Sequence, residues 1–359
     1  MISGLQHCED LITINGFEDN TSYSPLLASC DDRFKYNTVL GIFKDSSKSG
    51  SIQLIEPYIS IDGYLDASII PLEFKGVEED FILHPLGIES SPSNNRRIFV
   101  VNHARNNSKV EVFDIDYDLG MANHIFSIED PLIKTPNSIV ALNDNTFYVS
   151  NDHYFSLRDR SIIGKILNWL ETFLRLPLGS VELVKFDENT GAVEVNHALQ
   201  YIPYANGITL VGNYLAVAST NNNQVLLYSR DNLDFIRSIH LPFHVDNLSV
   251  DSRTGNLIAS GHPHYPTLIK YVKSGGQSEK PQSWVVEIVL DKKQDDVEDT
   301  RNKAMVAQRR LLKGNKDDTI NSILQSSGEY INSITKLEKN KDALFASGLY
   351  MDGILSCKI

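Results

Sequence analysis

Hard oxygen donors recur in this chain where short apolar strands begin or end. Over residues 147–155 an apolar run passes straight into Asn151, Asp152 and His153, then returns to aromatics. On its own, Asn-Asp after a strand is a turn. Acids and amides also stand at comparable points elsewhere, at Glu9-Asp10, Asn206 and Asp246-Asn247. Carboxylate and carboxamide oxygens suit Ca²⁺, whereas zinc prefers Cys and His.

Such donors act together only if the fold brings them together. The chain is rich in short β-branched and aromatic runs separated by Gly, Asn and Asp, which predicts an all-β protein. One pattern recurs, in which a polar or small pair precedes Ile or Leu and a second short strand follows. Its first members are Glu9-Asp10-Leu11, Leu86-Gly87-Ile88, Asn137-Ser138-Ile139, Asn206-Gly207-Ile208, Asp246-Asn247-Leu248 and Asn332-Ser333-Ile334. The partner strands start at Leu26, Phe99, Phe147, Leu215, Leu257 and Leu344.

Six strand pairs predict a single six-bladed β-propeller over residues 1–359, with a central tunnel lined by the innermost strands. A β-sandwich would not place one polar pair at the same point of each repeat. Glu9, Asn206, Asp246 and Asn247 then surround one mouth, and Asn151 joins them from its loop. A ring of buried acids and amides is costly without a cation, because each group loses water. The plainer reading is that these side chains only pair with backbone donors.

The net charge of −13 argues against nucleic acid as a partner and suits a protein that holds cations. Cys8, Cys30 and Cys357 are too few for a disulfide scaffold, and their odd number leaves at least one unpaired within the chain. No apolar run reaches the roughly 18 residues of a membrane span. The first residues lack the pattern of a signal peptide, so the chain as written reads as cytoplasmic.

Two segments stand outside the repeats. Residues 158–176 place Ile162, Ile166, Trp169, Leu170, Phe173 and Leu174 opposite Lys165, Asn168, Thr172 and Arg175, which predicts an amphipathic helix stopped by Pro177. Its apolar face either packs on the propeller rim or meets a membrane or partner. Residues 292–318 are dense in charge and poor in aromatics, which reads as a solvated, flexible insertion.

Several motifs together resemble the serum paraoxonase/arylesterase family. Cys8-Glu-Asp-Leu11 is similar to its first strand, and Val100-Val-Asn-His103 followed by Val110-Glu-Val-Phe113 to its second blade. Asn151-Asp-His-Tyr-Phe155 and Ala205-Asn-Gly-Ile208 match it, as does Val245-Asp-Asn-Leu-Ser-Val-Asp251 leading to His262-Pro263. Leu355-Ser-Cys357 is similar to its last strand.

The resemblance implies a six-bladed propeller that hydrolyses aryl esters and lactones with two calcium ions. The catalytic ion would be held by Glu9, Asn151, Asn206, Asp246 and Asn247. A structural ion would sit deeper, on Asp10, Asp152 and the backbone carbonyl of Ile88. It also implies that the helix after the Asn-Asp-His-Tyr-Phe motif meets membrane or lipoprotein surfaces, and a secretory or membrane-associated setting.

The chain departs from the family pattern at Pro85-Leu86-Gly87-Ile88, where the family has Pro-His-Gly-Ile. His103 matches the second member of a catalytic histidine pair, but Leu86 cannot accept a proton. His84 lies two residues upstream, a shift of about 6–7 Å along a strand. Leu86 and His262 are expected to line the substrate pocket, with His264 nearby. The leading expectation is a calcium-dependent aryl esterase or lactonase acting on a small molecule. The alternative is a calcium-stabilised propeller that has lost catalysis and binds a partner or membrane surface.

Overall fold

The computed structural model describes residues 1–16, 23–104, 107–158, 161–291, 318–329 and 331–359. Among the described residues six sheets of four or five strands form the blades of a propeller, antiparallel throughout except for the outermost strand of the second blade, Glu73–Lys75, which runs parallel to Met121–Ile128. The innermost strands are Cys8–Thr13, Pro85–Ser90, Pro136–Asn143, Ala205–Val211, His244–Val250 and Ile334–Asn340. Each touches the next, and the sixth touches the first, so they close a ring around the tunnel.

The alternation of strand side chains builds the interior. One buried apolar layer fills every seam between neighbouring blades: Leu27, Ile88 and Val100 between the first and second, for example, and Val225, Leu248 and Ala259 between the fourth and fifth. Ring closure is provided by the N-terminal strand Ile2–Gln6, which pairs with Asp352–Lys358 as the outermost strand of the sixth blade. Nothing in the repeat pattern announces that strand. In the first blade Cys8 and Cys30 face each other across the ladder and form a disulfide, while Cys357 is free and exposed.

All six innermost strands slip register against their neighbours near their tunnel-mouth ends. The slips fall at Glu9, Leu86-Gly87, Asn137-Ser138, Asn206-Gly207, Asp246-Asn247 and Thr335. A bulge of this kind releases residues from the ladder and re-aims their side chains, here toward the axis. Close approach demands small residues at two of these points. A Cβ on Gly87 would lie 2.4 Å from the Asn137 carbonyl, and one on Gly207 would lie 2.6 Å from the Asn247 Cα.

The sixth repeat differs from the sequence reading by three residues. Leu11, Leu248 and Leu337 each pair with the alanine of the second strand, Ala28, Ala259 and Ala346. The equivalent of Asp246-Asn247 in the sixth blade is therefore Thr335-Lys336. Asn332-Ser333 mimics the repeat in sequence but precedes the strand.

Among the described residues two α-helices lie outside the sheets, α1 (Ile162–Phe173) and α2 (Tyr265–Lys273). The charged segment 292–317 lies outside the described residues; Asp318 is described and pairs with Arg237 at 2.7 Å.

Candidate metal centre at the tunnel mouth

The bulges deliver a ring of oxygen donors. Asn247 Nδ2 donates to Glu9 Oε1 at 2.8 Å, joining the fifth blade to the first. Asn206 Nδ2 donates to Asp246 Oδ1 at 2.7 Å and to the Thr220 hydroxyl at 3.1 Å. Asn137 Nδ2 approaches Asp152 Oδ2 at 3.3 Å. The amide nitrogens are thus turned to their neighbours. Four oxygens, Glu9 Oε2, Asn137 Oδ1, Asn206 Oδ1 and Asn247 Oδ1, are buried without a hydrogen-bond partner.

Buried acceptors left unmade are expensive and rare in native proteins. Convergent ones fit a hard cation, because all are neutral or anionic oxygens. Burial, reinforced by Asp10 and Asp246, pushes the Glu9 carboxyl up to about 8. Among the described residues no three His, Cys, Asp or Glu side chains converge on a metal position, so the donor set depends on carboxamides.

Asn151 does not join this ring. Its Oδ1 accepts the backbone N–H groups of Lys134 and Thr135 at 2.9 and 3.0 Å, and its Nδ2 donates to the Leu132 carbonyl at 2.9 Å. It caps the loop 132–135 that leads into the innermost strand of its blade. Asn137, on the innermost strand, takes the place expected of it. The signal was present in the repeat Asn137-Ser138-Ile139, which aligns Asn137 with Glu9, Asn206 and Asp246.

Imidazoles flank the ring. His262 Nε2 lies 2.9 Å from Asp246 Oδ2, and its Nδ1 is buried without a partner. His153 bridges Asp152 Oδ1 at 2.9 Å and the Thr172 hydroxyl of α1 at 2.8 Å. Burial opposes charge on His153, but Asp152 outweighs it and raises the imidazole above its usual range. His103 has both nitrogens committed, Nδ1 to the Thr38 hydroxyl and Nε2 to the Pro136 carbonyl at 2.6 Å. Burial, aided by the nearby Arg158, pushes His103 down to about 3, so it is neutral at ordinary pH.

Leu86 is not in the pocket: it packs in the seam with Phe99, Val101 and Ile139. His84 is fully buried, stacked on Tyr36 and paired with Asp31 at 2.8 Å. A rearranged His84 as substitute base is therefore not what the structure contains. Tyr265, carried by α2, reaches Tyr204 near Asp152 and Asp246. That helix was unforeseen, although Leu268, Tyr271 and Val272 have helical spacing and supply its buried face.

The arylesterase family model matches residues 29–302. The chain belongs to the arylesterase family. It is 33% identical over 199 residues to the serum paraoxonase/lactonase 3 of Oryctolagus cuniculus, covering 54% of this chain and 52% of that protein. The Rattus norvegicus protein of the same name is 30% identical over 269 residues, 72% of this chain and 69% of that one. The chain spans about half the length of the first of these relatives. A solved structure of a hypothetical selenium-binding protein from Sulfolobus tokodaii is similar at TM-score 0.48 and 9% identity, over 96% of this chain and 73% of that one, too distant to carry an argument.

In this arylesterase-family chain α1 is docked by its polar face. Ser161 caps its start, accepting the Gly164 N–H at 2.9 Å. Asn168 donates to the Phe155 carbonyl at 2.6 Å, and Glu171 accepts the N–H groups of Tyr154 and Phe155 at 2.8 and 3.0 Å. The apolar face points outward, with Ile162 77%, Trp169 58% and Phe173 67% exposed. Packing against the rim is thus done by the side expected to face water. No described helix is long and apolar enough to cross a membrane.

Proposed function

We propose that the protein is a calcium-dependent hydrolase of aryl esters or lactones, with Ca²⁺ held by Glu9, Asn137, Asn206, Asp246 and Asn247. One observation carries this reading: four buried donor oxygens lack partners at one end of the tunnel. Family membership supports hydrolysis of esters or lactones, as the relatives' names describe for those proteins.

Bound Ca²⁺ would supply Lewis-acid polarisation of the ester carbonyl and charge to oppose the developing oxyanion. The chain's own residues would manage the proton. Among His103, His153 and His262, His262 alone has a ring nitrogen without a partner. Its pairing with Asp246 places the ring proton on Nε2 and leaves Nδ1 an acceptor. His262 Nδ1 then takes the proton of the attacking water, with Asp246 holding the ring in place. His103 instead ties the loop around Thr38 to the third blade.

The exposed apolar face of α1 suits a lipid surface or an apolar partner. The chain's negative charge favours neutral over anionic lipid. Asp152, His153 and Thr172 link that helix to the tunnel mouth, so a docked surface would face the end that admits substrate.

The test is turnover of phenyl acetate and a lactone panel with excess calcium, after chelation, and after calcium is restored. The reading expects hydrolysis that chelation abolishes and calcium restores. Absence of turnover in folded, calcium-loaded protein would favour a binding protein, and turnover indifferent to chelation would remove the metal from the mechanism.

A further inference from the structure

Lys336 stands on the innermost strand of the sixth blade, in register with Asp10 of the first and Asn247 of the fifth. Sequence repeats conceal this, because Asn332-Ser333 imitates the pattern three residues early. The Lys336 side chain is buried, 6% exposed as a residue, and its Nζ lies 3.2 Å from Asp10 Oδ1. Asp10 Oδ1 also accepts the Leu11 N–H at 2.9 Å, and Oδ2 accepts the Ile88 N–H at 3.0 Å. Asp152, the other expected carboxylate ligand, follows the second strand of the third blade, Thr146–Asn151, instead of standing on an innermost strand beside Asp10, and it pairs with His153 and Asn137.

These residues do not fit the second, deeper calcium expected on Asp10, Asp152 and Ile88. The remaining blades add no anion at this register, offering Gly87, Ser138 and Gly207. Glu89 and Glu338 lie within the field of the ammonium, which opposes the repulsion they share with Asp10. A divalent ion beside Asp10 would meet a fixed positive charge a few ångströms away, in surroundings that screen poorly. An ammonium with three N–H donors already supplies the charge and directional bonds that such an ion would bring.

We infer that Lys336 is a built-in cation that replaces the deeper calcium, so that the protein binds one Ca²⁺ in its tunnel instead of two. This rests on the reading of the mouth as a calcium centre. The measurement is the calcium content of the full chain, stripped with chelator and dialysed against Ca²⁺, for the wild type, Lys336→Arg and Lys336→Ser. The inference expects about one equivalent in the first two and about two in Lys336→Ser, where Asp10 is released. Two equivalents in the wild type would overturn the inference while leaving the mouth site standing. None would overturn both. A single equivalent in folded Lys336→Ser would overturn the claim that the ammonium excludes the second ion. Should that variant fail to fold, the wild-type count still decides.

Discussion

Asn247 donates one hydrogen bond to Glu9 across the tunnel, at 2.8 Å, and each residue keeps one buried oxygen without a partner. The two belong to the fifth and first blades, so their meeting depends on closure of the whole ring. The site is therefore a product of the fold more than of any local segment. A cation between those oxygens would offset the desolvation that the fold imposes on them.

Replacing Glu9 by Gln should separate the cost of the site from its use. Without calcium, a carboxyl held at about 8 favours the folded state only while protonated, so stability falls as pH rises from the ordinary carboxyl range toward 8. Glu9→Gln should abolish that slope and be at least as stable as the wild type in chelator near pH 8. It should also lose most of the increase in thermal midpoint that calcium confers on the wild type. A variant that gains as much from calcium as the wild type would exclude Glu9 as a ligand.

His262→Gln should lower kcat by about 10²-fold or more while leaving calcium content unchanged, as expected for loss of a general base. Steady-state kinetics alongside metal analysis checks this. Loss of bound calcium in parallel with activity would instead make His262 a support for Asp246.

The buried, neutral His103 predicts a defined acid sensitivity. Its native imidazole resists protonation down to about 3, whereas the unfolded chain takes up a proton below about 6.5. Stability from this group is complete above that unfolded value and is lost as pH falls toward 3. Between pH 7 and 5 the wild type should lose about 2 kcal/mol more than His103→Gln in urea unfolding. Parallel losses in the two proteins would show that His103 is not the group responsible.

The outward face of α1 predicts binding to phosphatidylcholine vesicles. Trp169→Ser combined with Phe173→Ser removes two large exposed rings, stacked on each other with centroids 4.9 Å apart. Losing that apolar area should weaken vesicle binding by about 10-fold or more, with calcium binding retained. Equal sedimentation of both proteins with vesicles would remove α1 from the interaction.

The propeller was legible because strand pairs repeat and each repeat has a polar interruption before an apolar residue. That interruption, at Asp246-Asn247 or Asn206-Gly207, is the sequence trace of a bulge. The sequence reading placed Asn151 at the mouth and passed over Asn137, since a carboxamide reads alike at either end of a strand. Only register separates the loop cap from the tunnel wall. Lys336 was hidden by a decoy three residues upstream, and Ile2–Gln6 by having no repeat partner. The sequence left both orientations of α1 open, and the polar face docks because Asn168, Glu171 and Thr172 find backbone and imidazole partners in the preceding loop. Periodicity identifies two faces but not which one the protein covers.

The most direct test is a calorimetric titration of Ca²⁺ into chelator-stripped protein at pH 7, repeated in buffers of different ionisation enthalpy. Glu9 is mostly protonated there and must ionise to coordinate a metal. Saturable binding with release of about one proton, fading by pH 9 and absent in Glu9→Gln, is the predicted result. Absence of binding would contradict the metal centre itself, and binding without proton release would contradict the place given to Glu9.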